Sequence, residues 1–184
     1  MAHEATHDGL TQLPNRNASI GQLQSALART ARTGHRVAVL FLDLDGFKDV
    51  NDHHGHQAGD AVLRTTAQRL VRETRDGDHV GRLGGDEFVV IAEPADDLDE
   101  VLAIAERIRA ALAEPISVDA VTVSIRASIG IALSSSASTS NGQGIDDPSE
   151  LLRDADLAVY KAKRLGRNRI EICDDGLRAE MIER

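Results

Sequence analysis

Three features of the sequence predict an α/β fold in a single domain. Short apolar runs of strand length alternate with longer segments in which apolar residues recur every three or four positions, as they do on one face of a helix. The chain has 184 residues, 41 % of them apolar, which is enough to bury a substantial core without disulfides. Between two apolar runs stand Gly84 and Gly85, a pair typical of a hairpin turn because glycine accepts the positive φ angles of tight turns.

The first half of the chain is expected to contain three helical segments and three strands. A helix follows Asn15, with apolar residues spaced by three and four, and Gly34 ends it. Residues 37–44 form a continuous apolar run, as expected of a central strand whose end emerges at a polar site. We further predict a short helical turn at 47–52, a helix at 58–73 and strands at 79–83 and 87–92.

The second half is expected to follow the same alternation. A well-marked amphipathic pattern predicts a helix over 98–112, with Pro115 after its end. Residues 121–133 alternate well enough to form one long strand or two paired strands. The remaining predictions are a strand at 116–118, a mobile loop at 134–147, a helix from Pro148 to about residue 165, and a strand at 168–173. We therefore expect one domain over residues 1–173 and a polar, helix-prone tail over 174–184.

Charge and composition restrict the partners. The net charge is −9, so the surface would repel the phosphate backbone of a nucleic-acid polymer, and we exclude one as ligand. A small phosphate ligand held by metal and a few local cations remains compatible, because those act at close range. Cys173 is the single cysteine, no signal peptide opens the chain, and its apolar runs are too short to insert into a membrane. We therefore expect a cytoplasmic protein.

Acidic residues cluster at two points that the predicted sheet could bring together. Asp43 and Asp45 lie at the end of the strand at 37–44, and Asp86 and Glu87 follow the Gly-Gly turn directly. If strand and hairpin are neighbours, these carboxylates converge at the sheet edge and repel one another unless a cation joins them. An all-oxygen ligand set suits Mg²⁺. Lys48 is placed to offer an ammonium group to phosphate oxygens nearby.

With these residues in place, the chain resembles the GGDEF family of diguanylate cyclases. The family's namesake motif stands at Gly84, Gly85, Asp86, Glu87 and Phe88. Further segments resemble family motifs in the family's order, at residues 8–16, 41–48, 51–52, 55–60, 82–83, 127–132, 155–163 and 166–168. The resemblance implies a mostly antiparallel five-stranded sheet flanked by helices, shared with nucleotidyl cyclases and polymerase palm domains. It also implies condensation of two GTP into cyclic di-GMP and two pyrophosphates with Mg²⁺, or with Mn²⁺ as an alternative.

The resemblance also implies roles for individual residues. Asp43 and Glu87 would bind metal, helped by the Leu44 carbonyl, while Asp86 would share the metal or deprotonate the attacking 3′-hydroxyl, two roles that stay open. Asn51 and Asp60 would read guanine, whose N1–H and amine can donate to a carboxylate. The residues Phe47, Lys48, Lys163 and Arg167 would complete the GTP site, the three cations holding phosphates. From the residues alone, Asn51 and Asp60 could simply belong to a helix start, and Lys163 and Arg167 to a basic helix end.

A second site and a partner are implied in the same way. Arg75 and Asp78 stand at the family's spacing for an inhibitory site that binds cyclic di-GMP, and Arg107 from the next helix is a further candidate for it. Because the product has two phosphodiester links, catalysis requires two domains facing each other, whereas the isolated domain should be mainly monomeric. The tail resembles the linker that leads into a phosphodiesterase domain of the EAL type. Two alternatives are a non-catalytic module that binds GTP or cyclic di-GMP, and a cyclase that also accepts ATP, against which Asp60 argues.

Overall fold

Helices and strands alternate through residues 5–135 and 146–183, the part of the chain that this computed structural model describes. The helices are α1 (Arg16–Thr33), α2 (Phe47–His54), α3 (His56–Glu73), α4 (Leu98–Leu112), α5 (Pro148–Arg164) and α6 (Asp175–Ile182). The strands are β1 (Ala38–Asp45), β2 (His79–Gly84), β3 (Glu87–Ala92), β4 (Ile116–Val118), β5 (Val121–Val123), β6 (Arg126–Leu133) and β7 (Ile170–Ile172).

Five of these strands form one sheet in the order β2-β3-β1-β6-β7. All neighbours are antiparallel except β6 and β7, which run parallel, so the expectation of a mostly antiparallel five-stranded sheet is confirmed. Strand β1 lies in the middle and pairs on both sides along its length. It is buried on both faces, which explains why its sequence is a continuous apolar run rather than an alternating one.

The two faces of the sheet carry separate hydrophobic cores. Successive side chains of β1 point to opposite faces, so Leu40 and Leu42 pack with α3 and α4, whereas Val39 and Phe41 pack with α1 and α5. Phe88 of β3 is fully buried on the first face. The layers are thus helices, sheet and helices, as the alternating pattern predicts. None of the described helices is long and apolar enough to cross a membrane.

Two strand predictions need correction. The segment at 121–133 is neither one long strand nor two strands paired with each other, since β5 pairs with β4 and β6 pairs with β1 and β7. A tight turn with Asp119 at φ 52° joins β4 and β5 into a separate hairpin. Val121–Val123 therefore pairs with β4 and is not part of β6. The last strand, predicted at 168–173, begins only at Ile170, because Asn168 has a left-handed backbone with φ 47°.

Helix ends follow the local sequence closely. Gly34 ends α1 in the left-handed conformation, with φ 77°, and Asn15 caps its start by accepting the backbone N–H of Ala18. The helical turn predicted at 47–52 extends to His54. Within the tail, α6 is capped by the Asp174 side chain. Most of the predicted loop at 134–147 lies outside the described residues, since 136–145 are not among them.

Candidate active site

The predicted acidic residues meet at the end of the central strands. Asp43 of β1 is directly opposite Glu87 of β3 in the antiparallel register. The Asp86 carbonyl accepts the backbone N–H of Leu44 at 3.2 Å, which ties the turn to β1. The predicted convergence is therefore found, at the edge of the sheet where β1 ends and β3 begins. The cluster lies at the end of β1, the middle strand, because pairing on both sides keeps β1 away from the lateral edges.

Arg82 holds the turn that carries these carboxylates. Its guanidinium donates to the Gly85 carbonyl at 2.7 and 3.1 Å and to both oxygens of Asp8 at 2.9 and 3.0 Å. Asp8 in turn accepts the backbone N–H and the hydroxyl of Thr11. Although burial opposes it, hydrogen bonding by Thr11 and Arg82 holds the pKa of Asp8 below its ordinary value. The hairpin turn is thereby fixed to the segment that precedes α1.

Lys163 supplies the positive charge nearest to Asp43. Its ammonium donates to Asp43 Oδ2 at 2.5 Å, although the two residues are 120 positions apart in the chain. The approach depends on close packing of α5 against β6. A Cβ atom at Gly130 would lie 2.0 Å from the Ala155 carbonyl oxygen and 2.5 Å from the Val159 nitrogen, so only glycine lets the helix backbone lie this near the strand.

Burial and mutual repulsion raise the pKa values of the carboxyl groups. For Asp43, burial raises the pKa to about 6 against the opposing hydrogen bond from Lys163, and the Asp86 carboxylate adds to the rise. The pKa of Glu87 is also raised, first by burial and then by the charges of Asp156 and Asp86. The site therefore holds negative charge that its own cations do not fully balance, which favours binding of a further cation.

Asp156 and Arg16 lie beside the cluster and were missed as site residues. Their charges act on Glu87 in opposite directions, Asp156 raising its pKa and Arg16 lowering it. Asp156 remains accessible to solvent, yet partial burial raises its own pKa against the opposing charges of Lys163 and Arg16. In the sequence, Asp156 stands two helical turns before Lys163 and hence on the same face of α5, a spacing that could have indicated it.

Both carboxylate oxygens of Asp45 accept hydrogen bonds from neighbouring residues, so Asp45 supports the local structure. It accepts the Ser128 hydroxyl at 2.7 Å and the Asn168 backbone N–H at 2.9 Å. The Arg109 guanidinium also donates to the Asn168 side chain, at 3.1 Å. These bonds fix the chain just after Arg167, whose own backbone is left-handed with φ 63°.

The ligand types present suit Mg²⁺, although the side chains do not yet surround one metal position. The carboxylates of Asp43, Asp86 and Glu87 and the carbonyl of Leu44 are all oxygen ligands, which Mg²⁺ prefers. Across residues 5–135 and 146–183, no three acidic, histidine or cysteine side chains already surround a common metal position. Asp43 is instead paired with Lys163.

The residues predicted to hold a nucleotide lie in α2, in α3 and after α5, apart from Lys163, which lies at Asp43. Asn51 and Phe47 of α2 contact α3 at Gly59, and Asp60 follows in the second turn of that helix, half-buried. Lys48 is exposed in the first turn of α2, and Arg167 is exposed after α5. Within the described part of the chain neither of these two cations forms an ion pair, so both charges are available to a ligand.

The three residues predicted to bind product lie around the end of α3. Arg75 pairs with Asp78 at 3.1 Å, and the Asp78 side chain is fully buried while Arg75 is 41 % exposed. Arg107 of α4 donates to the Glu73 carbonyl at 2.7 Å, two residues before Arg75. The structure thus brings all three to one region, but it links Arg107 to Glu73 and not to the Arg75–Asp78 pair.

Comparison with known proteins decides the family. A protein-family model described as diguanylate cyclase, GGDEF domain, matches residues 5–169. The chain belongs to the GGDEF family. Among curated relatives, the diguanylate cyclase TpbB of Pseudomonas aeruginosa strain UCBPP-PA14 is 45 % identical over 168 residues, which cover 91 % of this chain and 37 % of TpbB. The GGDEF domain described here therefore spans little more than a third of that relative.

Solved structures of GGDEF domains match this fold. The GGDEF domain of TpbB from Pseudomonas aeruginosa superposes with a TM-score of 0.86 at 40 % identity, covering 97 % of this chain and 99 % of that one. The GGDEF domain of DgcB from Caulobacter crescentus, solved in complex with c-di-GMP, gives 0.82 at 31 % identity, covering 92 % of this chain and 96 % of that one.

Proposed function

We propose that this GGDEF domain is a diguanylate cyclase that condenses two GTP into cyclic di-GMP. The observation that carries the proposal is the pairing of Asp43 with Glu87 in register, with Asp86 and Lys163 against them. Half-buried carboxylates with raised pKa values beside a cation indicate a functional site, and phosphoryl-transfer enzymes use such carboxylates to hold metal ions. Membership of the family supports the same reaction.

In this reaction the 3′-hydroxyl of one GTP attacks the α-phosphate of the other. A P–O bond forms, pyrophosphate leaves in line, and the proton of the hydroxyl passes to a base. The 3′-hydroxyl of the second GTP then attacks the α-phosphate of the first in the same way and releases the second pyrophosphate. Asp86, next to Asp43 and Leu44, would either take this proton or share the metal. Bound Mg²⁺, or Mn²⁺, held by Asp43, Glu87 and the Leu44 carbonyl, would neutralise the triphosphate and acidify the hydroxyl.

The remaining site residues would hold GTP by its two ends. Asp60 and Asn51 would read the guanine edge beside Phe47, since a carboxylate accepts from N1–H and the amine while adenine lacks that pair of donors. Lys48, Lys163 and Arg167 would hold the phosphates. Lys163, which pairs with Asp43, would hold a phosphate beside a metal bound to the Asp43 carboxylate.

One domain would hold one GTP, so a second copy must supply the other half of the site. We expect the isolated domain to be mainly monomeric and therefore slow. Cyclic di-GMP would inhibit it through Arg75 and Asp78, with Arg107 nearby, because a guanidinium can stack on guanine and pair with its Hoogsteen edge. That relatives bind this nucleotide is supported by the DgcB complex.

A concentration series tests the proposal. With GTP and Mg²⁺, the product separated by chromatography should be cyclic di-GMP, and its rate per domain should rise with protein concentration, because two domains must meet. Adding equimolar ATP should yield no mixed dinucleotide, since Asp60 selects guanine. GTP binding without any product, even when the domain is fused to a dimerising coiled coil, would instead favour a non-catalytic binding module.

A further inference from the structure

Gly59 is a glycine in a position where a helix should not favour one. It lies in the second turn of α3, is buried, and donates its backbone N–H to the Gly55 carbonyl as in an ordinary helix. Its φ is not positive, so its backbone does not require glycine. Since glycine is the weakest helix former after proline, the reason for it must lie in what surrounds it.

The surroundings are two side chains of α2. A Cβ atom at Gly59 would lie 1.9 Å from Oδ1 and 2.9 Å from Cγ of Asn51, and 3.3 Å from Cζ of Phe47. The first two distances are far below van der Waals contact, so the carboxamide occupies the space that a side chain at 59 would fill. Turning the amide away costs least, because it is the end of a flexible side chain, whereas backbone hydrogen bonds through Gly55 hold α2 and α3 together.

The Asn51 carboxamide has unused bonding capacity in this position. It is half-buried, and among residues 5–135 and 146–183 it has no hydrogen-bonding partner. A half-buried amide with two donors and an acceptor free is suited to a ligand with a matching polar edge. Asp60, the neighbour of Gly59, places a carboxylate on the same helical turn.

We propose that Gly59 is a positioning residue that sets base selectivity by leaving room for the Asn51 carboxamide. The inference rests on the proposed function, in which Asn51 and Asp60 read guanine. Gly59 itself would not touch the base. A methyl group there would turn the amide away from the base and weaken binding of guanine nucleotides, while adenine nucleotides, which do not use that contact, would be affected much less.

Binding of GDP and ADP with Mg²⁺, neither of which can be cyclised, tests the proposal by calorimetry or competition. Gly59→Ala should weaken GDP binding about tenfold, the size of one good hydrogen bond, and change ADP binding less than twofold. In an Asn51→Ala background, Gly59→Ala should change GDP binding less than twofold. Gly21→Ala is the matched control, since Gly21 lies in α1 and is exposed, and a methyl group there would have no neighbouring side chain or strand within 4 Å in the described part of the chain.

The outcomes separate this inference from the function on which it rests. Equal weakening of GDP and ADP, or weakening that persists without Asn51, would mean a structural role and would overturn the inference, as would unchanged GDP binding. A wild-type domain that binds GDP and ADP alike would overturn the guanine assignment itself. If Gly59→Ala alone does not fold, the double variant should recover the unfolding free energy of Asn51→Ala, and failure to recover it would also overturn the inference.

Discussion

Replacing Asp43 by asparagine should stabilise the domain while abolishing its activity. The Asp43 side chain is only 13 % exposed, and burial together with Asp86 raises its pKa from 3.8 to about 6 despite the bond from Lys163. A rise of that size corresponds to about 3 kcal/mol of unfolding free energy lost when the group ionises. Because neighbours relax and water enters, we expect Asp43→Asn to raise the unfolding free energy by roughly 1–3 kcal/mol at pH 7.5.

The pH dependence of this gain has a definite sign. Below 3.8 the carboxyl is protonated in the folded and the unfolded chain, so the variant should gain nothing. Between 3.8 and about 6 the unfolded chain ionises first, and the stability that the wild type has at low pH is lost. The gain of the variant should therefore grow over this interval and then stay constant.

Urea unfolding followed by circular dichroism, with EDTA present, measures the effect. Asp45→Asn is the matched control two residues further along β1. Its carboxylate accepts from Ser128 and Asn168, so we expect a loss of about 1 kcal/mol instead of a gain. If Asp43→Asn were destabilised at pH 7.5, the ion pair with Lys163 would outweigh the repulsion, and our account of the charge balance would be wrong.

Three further predictions concern other parts of the domain. Gly130→Ala should lose about 1–3 kcal/mol of unfolding free energy and much of its turnover, because a methyl group pushes α5 and Lys163 away from the sheet; full activity would contradict this packing. Burial lowers the pKa of His79, so stability should fall as the pH drops below 6.5, and His79→Gln should lose that component in urea titrations from pH 7 to 5. Arg75→Ala should raise the cyclic di-GMP concentration for half-inhibition at least tenfold, and unchanged inhibition would refute the product site.

Local patterns in the sequence were sufficient for most elements. The helix predicted over 98–112 is found as Leu98–Leu112, because its apolar spacing reflects one buried face. The Gly84–Gly85 turn was also predictable, since φ values of 139° and 50° are open to glycine. The prediction for residues 121–133 was wrong. Alternation indicates a strand but not its partner, and partners are set by the turn at Asp119 and by pairing with β1.

The candidate site was predictable as a set of residues but not as an arrangement. The motifs placed Asp43, Asp86 and Glu87 together, and the register confirms that Asp43 and Glu87 are neighbours. The contact of Arg82 with Asp8 spans 74 positions and depends on how the first turn folds over β2, which no local pattern encodes. The pairing of Lys163 with Asp43 similarly depends on how closely α5 packs on β6.

The most direct test of the active site is product formation from radiolabelled GTP by the domain in a forced dimer. The wild type with Mg²⁺ should yield cyclic di-GMP and pyrophosphate in a ratio of one to two, as the proposed reaction requires. Glu87→Gln should lose this product by at least a hundredfold while keeping its circular dichroism spectrum, and Glu114→Gln, an exposed acid away from the cluster, should retain full activity. Undiminished cyclic di-GMP from Glu87→Gln would contradict our assignment of the catalytic site to the carboxylates at the end of β1 and β3.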